Sequence, residues 1–190
     1  MERRRKSKLP WDLLFELAVA QSGHFTTQQA TELGFSEAVL TYHQRMGKLR
    51  RPVRGVYRFS QYPATDHEEF VVVWLASGRE GVFSHETALA LHQLSDALPT
   101  RLHLTLPRTW QRRSLPEGIA RHYASVAAED IVWIGPVRVT SVPRTLRDCA
   151  SAHVAPDVLA QALQQAIARG KVSATQLPDW ASRLGAAPAP

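Results

Sequence analysis

The sequence predicts an α+β protein in two parts, a basic N-terminal module and a neutral remainder, on three observations. Apolar residues at helical spacing fill the first part of the chain and give way at Gly47 to a short strand–turn–strand pattern. The formal net charge of +6 is uneven: residues 1–60 hold 11 Lys and Arg against 5 Asp and Glu, while residues 61–190 hold 12 against 12. Beyond a polar, Pro-containing stretch, "SQYPATD" at 60–66, helical and period-2 segments are mixed.

The elements follow in order. Pro10 starts a helix in which Leu13, Leu14, Leu17, Ala18 and Gln21 recur at helical spacing, and Ser22-Gly23 ends it. In "HFTTQQATELG", Thr26 and Gln29 form a capping box, Phe25 and Ala30 a hydrophobic staple, and Gly34 a C-cap. Ser36 caps a third helix, "SEAVLTYHQRM", with Glu37 favourably placed in its first turn and Leu40 and Met46 expected to face inward. Then "GKLRRPVRGVYR", residues 47–58, puts five cations into twelve residues. Leu49 leads a strand, Arg51 to Gly55 make a turn, and Val56 to Phe59 return. Helix, short helix, Gly-containing turn "LGFS", helix and basic hairpin are the order of a winged helix-turn-helix. Phe35 in that turn is expected to anchor both helices.

The remainder reads as helices over "DHEEFVVVWLASG" and "SHETALALHQL", the second N-capped by Ser84. Strands follow over "RLHLTLP", "GIARHYAS", "DIVWIG" and "VRVTS", then helices over "VPRTLRDCASA" and "APDVLAQALQQAIARG", and a short last helix over "SATQLPDWASRL". The expected domains are 1–62, a winged helix-turn-helix, and 63–184, a small mixed α+β domain, with 185–190 a flexible tail.

At 44% hydrophobic and 21% charged, the composition is that of a folded chain. Its longest apolar run, Phe70 to Ala76, falls far short of the ~20 residues of a membrane span, so no membrane association is expected. Asp12 and Glu16 interrupt the apolar stretch after the basic N-terminus, which argues against a secretory signal. A single cysteine, Cys149, rules out an internal disulfide and a Cys-based zinc site and fits a reducing, cytoplasmic setting.

The chemistry that emerges is nucleic-acid binding. A major groove admits one helix, and in a helix-turn-helix that is the second of the pair. Its outward positions are Glu37, Ala38, Thr41, Tyr42, Gln44 and Arg45, with Ser36 at its cap and Thr26 and Thr27 at the start of the preceding helix. The hairpin cations Lys48, Arg50, Arg51, Arg54 and Arg58 suit phosphates, as do Arg3, Arg4 and Arg5 of a basic arm that also carries Lys6 and Lys8. His43 reads as a packed histidine.

Catalytic and metal motifs test negative. "HETALALH" begins like a zinc-protease motif, but the second histidine would fall at Leu89. His85 and His92 are two helical turns apart, about 10 Å, too far to share one ion. Lys171 is the single lysine after Lys48 and no acid stands two residues before it, so an ExK-type nuclease centre is missing. There is no G-x-S-x-G elbow and no Gly-rich phosphate loop. Arg144 and Asp148, four apart, read as a structural ion pair. The expectation is a non-enzyme without cofactor or metal.

"GHFTTQQATELGFS…GKLRRPVRGVYR", "SHETALALHQLSDALP" and "RVTSVPRTLRDCA" together resemble the AbiEi-type antitoxin family of type IV toxin–antitoxin systems, over residues 11 to about 152. The resemblance implies a DNA-binding repressor whose N-terminal winged helix binds its own promoter and whose basic hairpin is the wing. It also implies a C-terminal domain that counters a nucleotidyltransferase-like toxin without a stable complex. Two other classes stand beside it: a winged helix that binds a protein partner, and a nuclease with unrecognised active-site residues.

Overall fold

A computed structural model describes residues 9–66, 68–96 and 99–172. The basic arm with Arg3, Arg4 and Arg5, the expected last helix and the tail lie outside the described residues. The chain divides into two compact units, Met1–Arg79 and Glu80–Pro190.

The first unit runs α1 (Trp11–Val19), β1 (His24–Thr26), α2 (Thr27–Glu32), α3 (Glu37–Arg45), β2 (Leu49–Val53), β3 (Val56–Phe59) and α4 (Glu68–Ala76). The expected caps form. Thr26 Oγ1 accepts from the Gln29 amide, and the Gln29 side chain reaches back to the Thr26 amide. Ser36 Oγ accepts from the Val39 amide at 3.4 Å. Leu14, Ala18, Phe25, Ala30, Phe35, Leu40, Leu49 and Tyr57 form one buried cluster, so Phe35 does tie the turn to the core. Trp11 packs edge-on against it, with ring centroids 4.6 Å apart.

The sequence reading missed β1. Three residues before a helix cap are too few to show period-2 alternation, yet they complete an antiparallel sheet of order β1-β3-β2, with Phe25 opposite Tyr57. The chain reaches β1 through Gly23 at φ 80°, where an added Cβ would lie 2.4 Å from Tyr62 Cγ. The hairpin turn is also shorter than expected. The strand β2 continues through Pro52 to Val53, which pairs with Val56, so only Arg54 and Gly55 turn. Pro52 is tolerated because β2 is the sheet edge and the ladder is irregular between Arg50 and Val53. Met46, expected inward, is 58% exposed because the helix has ended at Arg45.

α4 packs with the first unit, whereas the sequence reading places the domain boundary at 62/63. The link is Arg58, expected to face phosphate but buried instead. Its Nη2 donates to Glu68 Oε1 at 2.6 Å, to the Tyr62 carbonyl at 2.8 Å and to the Pro63 carbonyl at 3.2 Å. A guanidinium on the middle strand faces inward, and its buried charge is stable there only with this carboxylate and these carbonyls around it.

The second unit holds β4 (Val82–Phe83), α5 (His85–Leu91), β5 (Leu102–Leu106), β6 (Ile119–Tyr123), β7 (Ile131–Ile134), β8 (Val137–Thr140), α6 (Val142–Ser151) and α7 (Pro156–Ala168). A mixed five-stranded sheet has the order β6-β5-β4-β8-β7. β5 pairs parallel with β6 and β4 parallel with β8, while β4–β5 and β7–β8 are antiparallel. Its centre, β4, has two residues and gave no periodic signal. Val142, Leu146 and Cys149 form the apolar face of α6, packed with Leu89 of α5 and Leu159, Leu163 and Ala166 of α7. Burial pushes the Cys149 thiol up to about 12, which makes it a packing residue and not a nucleophile. Arg144 pairs with Asp148 at 2.8 Å, as expected, and also with Asp130 at 3.1 Å. Among the described residues no helix is long and apolar enough to cross a membrane.

Candidate nucleic-acid interface

The residues of α3 sort by the helical period. Leu40 is buried and Val39 packs against the core from one side. Glu37, Ala38, Tyr42 and Arg45 are exposed, Tyr42 at 59%. Thr41 and Gln44 are half-buried at the margin of that exposed face. The cap sets where the face begins, since Ser36 closes the short turn that Phe35 pins from beneath. Thr26 and Thr27 are half-buried and already engaged: Thr26 caps α2, and the Thr27 amide donates to the Gly55 carbonyl at 2.9 Å. That second bond fastens the start of α2 to the tip of the hairpin.

His43 packs as expected, its ring centroid 4.4 Å from that of Trp11. Burial, with Lys48 nearby, holds its pKa below the ordinary value, so it adds no charge to the face near neutral pH.

The hairpin presents Lys48, Arg50, Arg51 and Arg54, all exposed. Alternation along β2 is broken by its irregular ladder, which leaves Arg50, Arg51 and Pro52 exposed in succession. The Arg51 guanidinium lies 5.5 Å from the centroid of the Tyr57 ring, a cation–π contact that steadies its stem. Arg58 leaves this set for the reason given above. What remains is an exposed helix face with hydrogen-bonding side chains and a separate strand edge carrying four cations, both on one packed core.

In the second unit, His85 comes together with other histidines than His92. His92 Nε2 is bonded to the Thr140 carbonyl at 2.7 Å, whereas His85 lies against His103 and His122, which come from two other elements. Local spacing carries no signal for a cluster assembled from one helix and two strands.

The three helices, the three-stranded sheet and the hairpin define a winged helix-turn-helix fold for the first unit. Residues 12–60 match the family model described as "Transcriptional regulator, AbiEi antitoxin". That match supports an antitoxin or transcription-regulator role. Among solved structures, the chain is similar to the crystal structure of the RV2827C protein from Mycobacterium tuberculosis, with a TM-score of 0.52 and 17% identity. That match covers 93% of this chain and 72% of the other, and at this identity it speaks for the fold alone. No curated protein matches the sequence.

Proposed function

We propose that this protein is a transcriptional repressor of antitoxin type that binds double-stranded DNA at its own promoter. In this reading α3 enters the major groove with Tyr42 and Arg45 toward base edges, and Lys48, Arg50, Arg51 and Arg54 of the wing neutralise phosphates. The observation that carries it is the pairing of an exposed, polar α3 face with an exposed cationic hairpin on one packed core. The match of residues 12–60 to a regulator family supports it independently.

Four wing cations imply a log affinity that falls against log salt with a slope of about −3.6 if each meets one phosphate. A binding titration of the full chain against promoter duplex at several salt concentrations measures this. A flat salt response would overturn DNA binding and favour a protein partner for the winged helix.

The second unit is the part that counters a nucleotidyltransferase-like toxin in this proposal, acting by binding without chemistry. Its support is the resemblance of "SHETALALHQLSDALP" and "RVTSVPRTLRDCA" to the AbiEi-type family and the second unit's own buried core. Co-expression of a nucleotidyltransferase-like toxin encoded beside this gene with an Arg50/Arg51/Arg54→Ala variant is the test, and the lack of such a gene would count against this part of the proposal. Growth rescue together with lost promoter repression is expected. Loss of both, in a folded and abundant protein, would make DNA binding itself the antitoxic act.

A further inference from the structure

We propose that His85, His103 and His122 form a binding site for a divalent transition-metal ion of the zinc, cobalt and nickel class. The three imidazoles come from the first residue of α5, from β5 and from β6. In the parallel β5–β6 ladder His103 stands opposite Ala120 and Thr105 opposite His122, so His103 and His122 share a sheet face, two residues apart. One ligand nitrogen from each residue lies within 4.8 Å of the others. His103 Nδ1 and His122 Nε2 are 3.1 Å apart. Two nitrogens held at the usual zinc distance in tetrahedral geometry are about 3.4 Å apart, so this pair already has the required separation. Side-chain rotation of His85, whose ring stacks on that of His122 with centroids 3.7 Å apart, brings in the third.

The surrounding bonds orient the lone pairs. The Glu86 carboxylate lies 3.3 Å from His103 Nε2, so that nitrogen carries the proton and Nδ1 keeps its lone pair toward His122. His85 Nδ1 is 2.9 Å from Ser84 Oγ, which in turn accepts from Thr105 Oγ1 at 2.8 Å. With Nδ1–H donating to Ser84, His85 offers Nε2 as ligand. Carboxylate–imidazole–metal and hydroxyl–imidazole–metal chains of this kind fix tautomer and ring orientation in metal sites.

Two local costs meet at the same place. His85 has φ 52°, a left-handed conformation that a residue with a Cβ adopts only at an energetic penalty. Ser84 stands at the N-cap of α5 and makes no cap hydrogen bond, because its hydroxyl is turned toward His85 and Thr105. Burial lowers all three histidine pKa values, that of His85 to about 3, so the rings are neutral at pH 7, the form a metal requires. Three nitrogen donors select borderline transition ions and reject magnesium and calcium, which prefer oxygen.

The test uses the full, untagged chain freed of metal by chelation. Calorimetric titration with Zn²⁺ is expected to show a site of one ion per chain that Mg²⁺ and Ca²⁺ do not fill. Co²⁺ is expected to develop the visible absorption of a tetrahedral nitrogen-ligated ion. Zinc at 100 times its dissociation constant should lower the unfolding equilibrium constant about 100-fold. His103→Ala and His122→Ala should each abolish the site. Glu86→Gln, which touches no ligand lone pair, should weaken it about 10-fold or more while leaving the fold intact. Zinc binding that survives in folded His103→Ala and His122→Ala chains would overturn the proposal, as would the absence of any one-equivalent site. In either case the three rings would be a metal-free hydrogen-bonded stack.

Discussion

Replacing Arg58 and Arg54 by alanine, one at a time, separates a cation inside the winged helix from one on its surface. Arg58 gives hydrogen bonds to Glu68 and to the carbonyls of Phe59, Tyr62 and Pro63. A hydrogen bond to a charged group contributes about 1.5–3 kcal/mol, but four on one guanidinium are not additive. The Arg58 side chain is 9% exposed and that of Glu68 is 32% exposed, so solvent screens the carboxylate end. We expect Arg58→Ala to destabilise the first unit by about 3 kcal/mol. At a urea slope of about 1.5 kcal/mol/M this lowers the midpoint by about 2 M. Arg54 is exposed at the hairpin turn, and its removal should leave the midpoint in place. In DNA titrations the order reverses. Arg54→Ala should flatten the log–log salt slope by about 0.9, one phosphate contact, and Arg58→Ala should leave it unchanged under conditions where the variant is folded. Glu68→Gln guards against a variant that fails to fold: it keeps the side-chain shape, weakens stability less and leaves the salt slope alone. If Arg58→Ala lost a full phosphate contact while its urea midpoint stood still, the inward placement of Arg58 would be refuted.

Arg45→Ala should relax preference between promoter and scrambled duplex by about 1–3 kcal/mol, while Arg54→Ala weakens both alike; equal losses on both duplexes for both variants would displace α3 from the groove. Gly23→Ala combines φ 80° with a 2.4 Å approach to Tyr62, and should lower stability by about 2 kcal/mol or more in urea unfolding, whereas Gly34→Ala, with open space around it, should cost only its backbone strain. The fragment 1–79 should unfold cooperatively and the fragment 1–62, which lacks Glu68 and α4, should be markedly less stable in the same assay. His85 is held neutral in the fold, its pKa depressed to about 3 by burial first and then by His122 and His103. The unfolded chain therefore takes up a proton below pH 6.5 that the folded chain refuses until about pH 3. In metal-free protein the second unit should lose stability across that window as pH falls, approaching about 1.4 kcal/mol per unit from this group. A His85→Asn variant, whose side chain tolerates positive φ, should flatten that acid limb.

Local chemistry made much of the winged helix legible. Thr26 with Gln29, and Ser36 with a helical period behind it, are signals written within four residues, and both caps form as read. Net charge confined to residues 1–60 points to a polyanion without any knowledge of packing, and that expectation belongs to the proposed function. What sequence could not supply was the set of long-range partners. Arg58 looks like every other cation of its hairpin until the sheet buries it and α4 places Glu68 beside it. Met46 sits at a helical period that ends one residue too soon. β4 is central to the second sheet but two residues long, so its place depends on β5 and β8 and not on its own pattern. The histidine cluster is the extreme case, since α5, β5 and β6 each contribute one ring and no segment holds two.

Pro52 has a consequence beyond the shape of the hairpin. The outermost strand of a sheet is a template for edge-to-edge pairing between molecules. On β2 that template is interrupted: Pro52 has no N–H to offer, the ladder is irregular there, and Arg50 and Arg51 repel a second copy of the same strand. The row of cations proposed to meet phosphate thus also works against one hairpin adding to another.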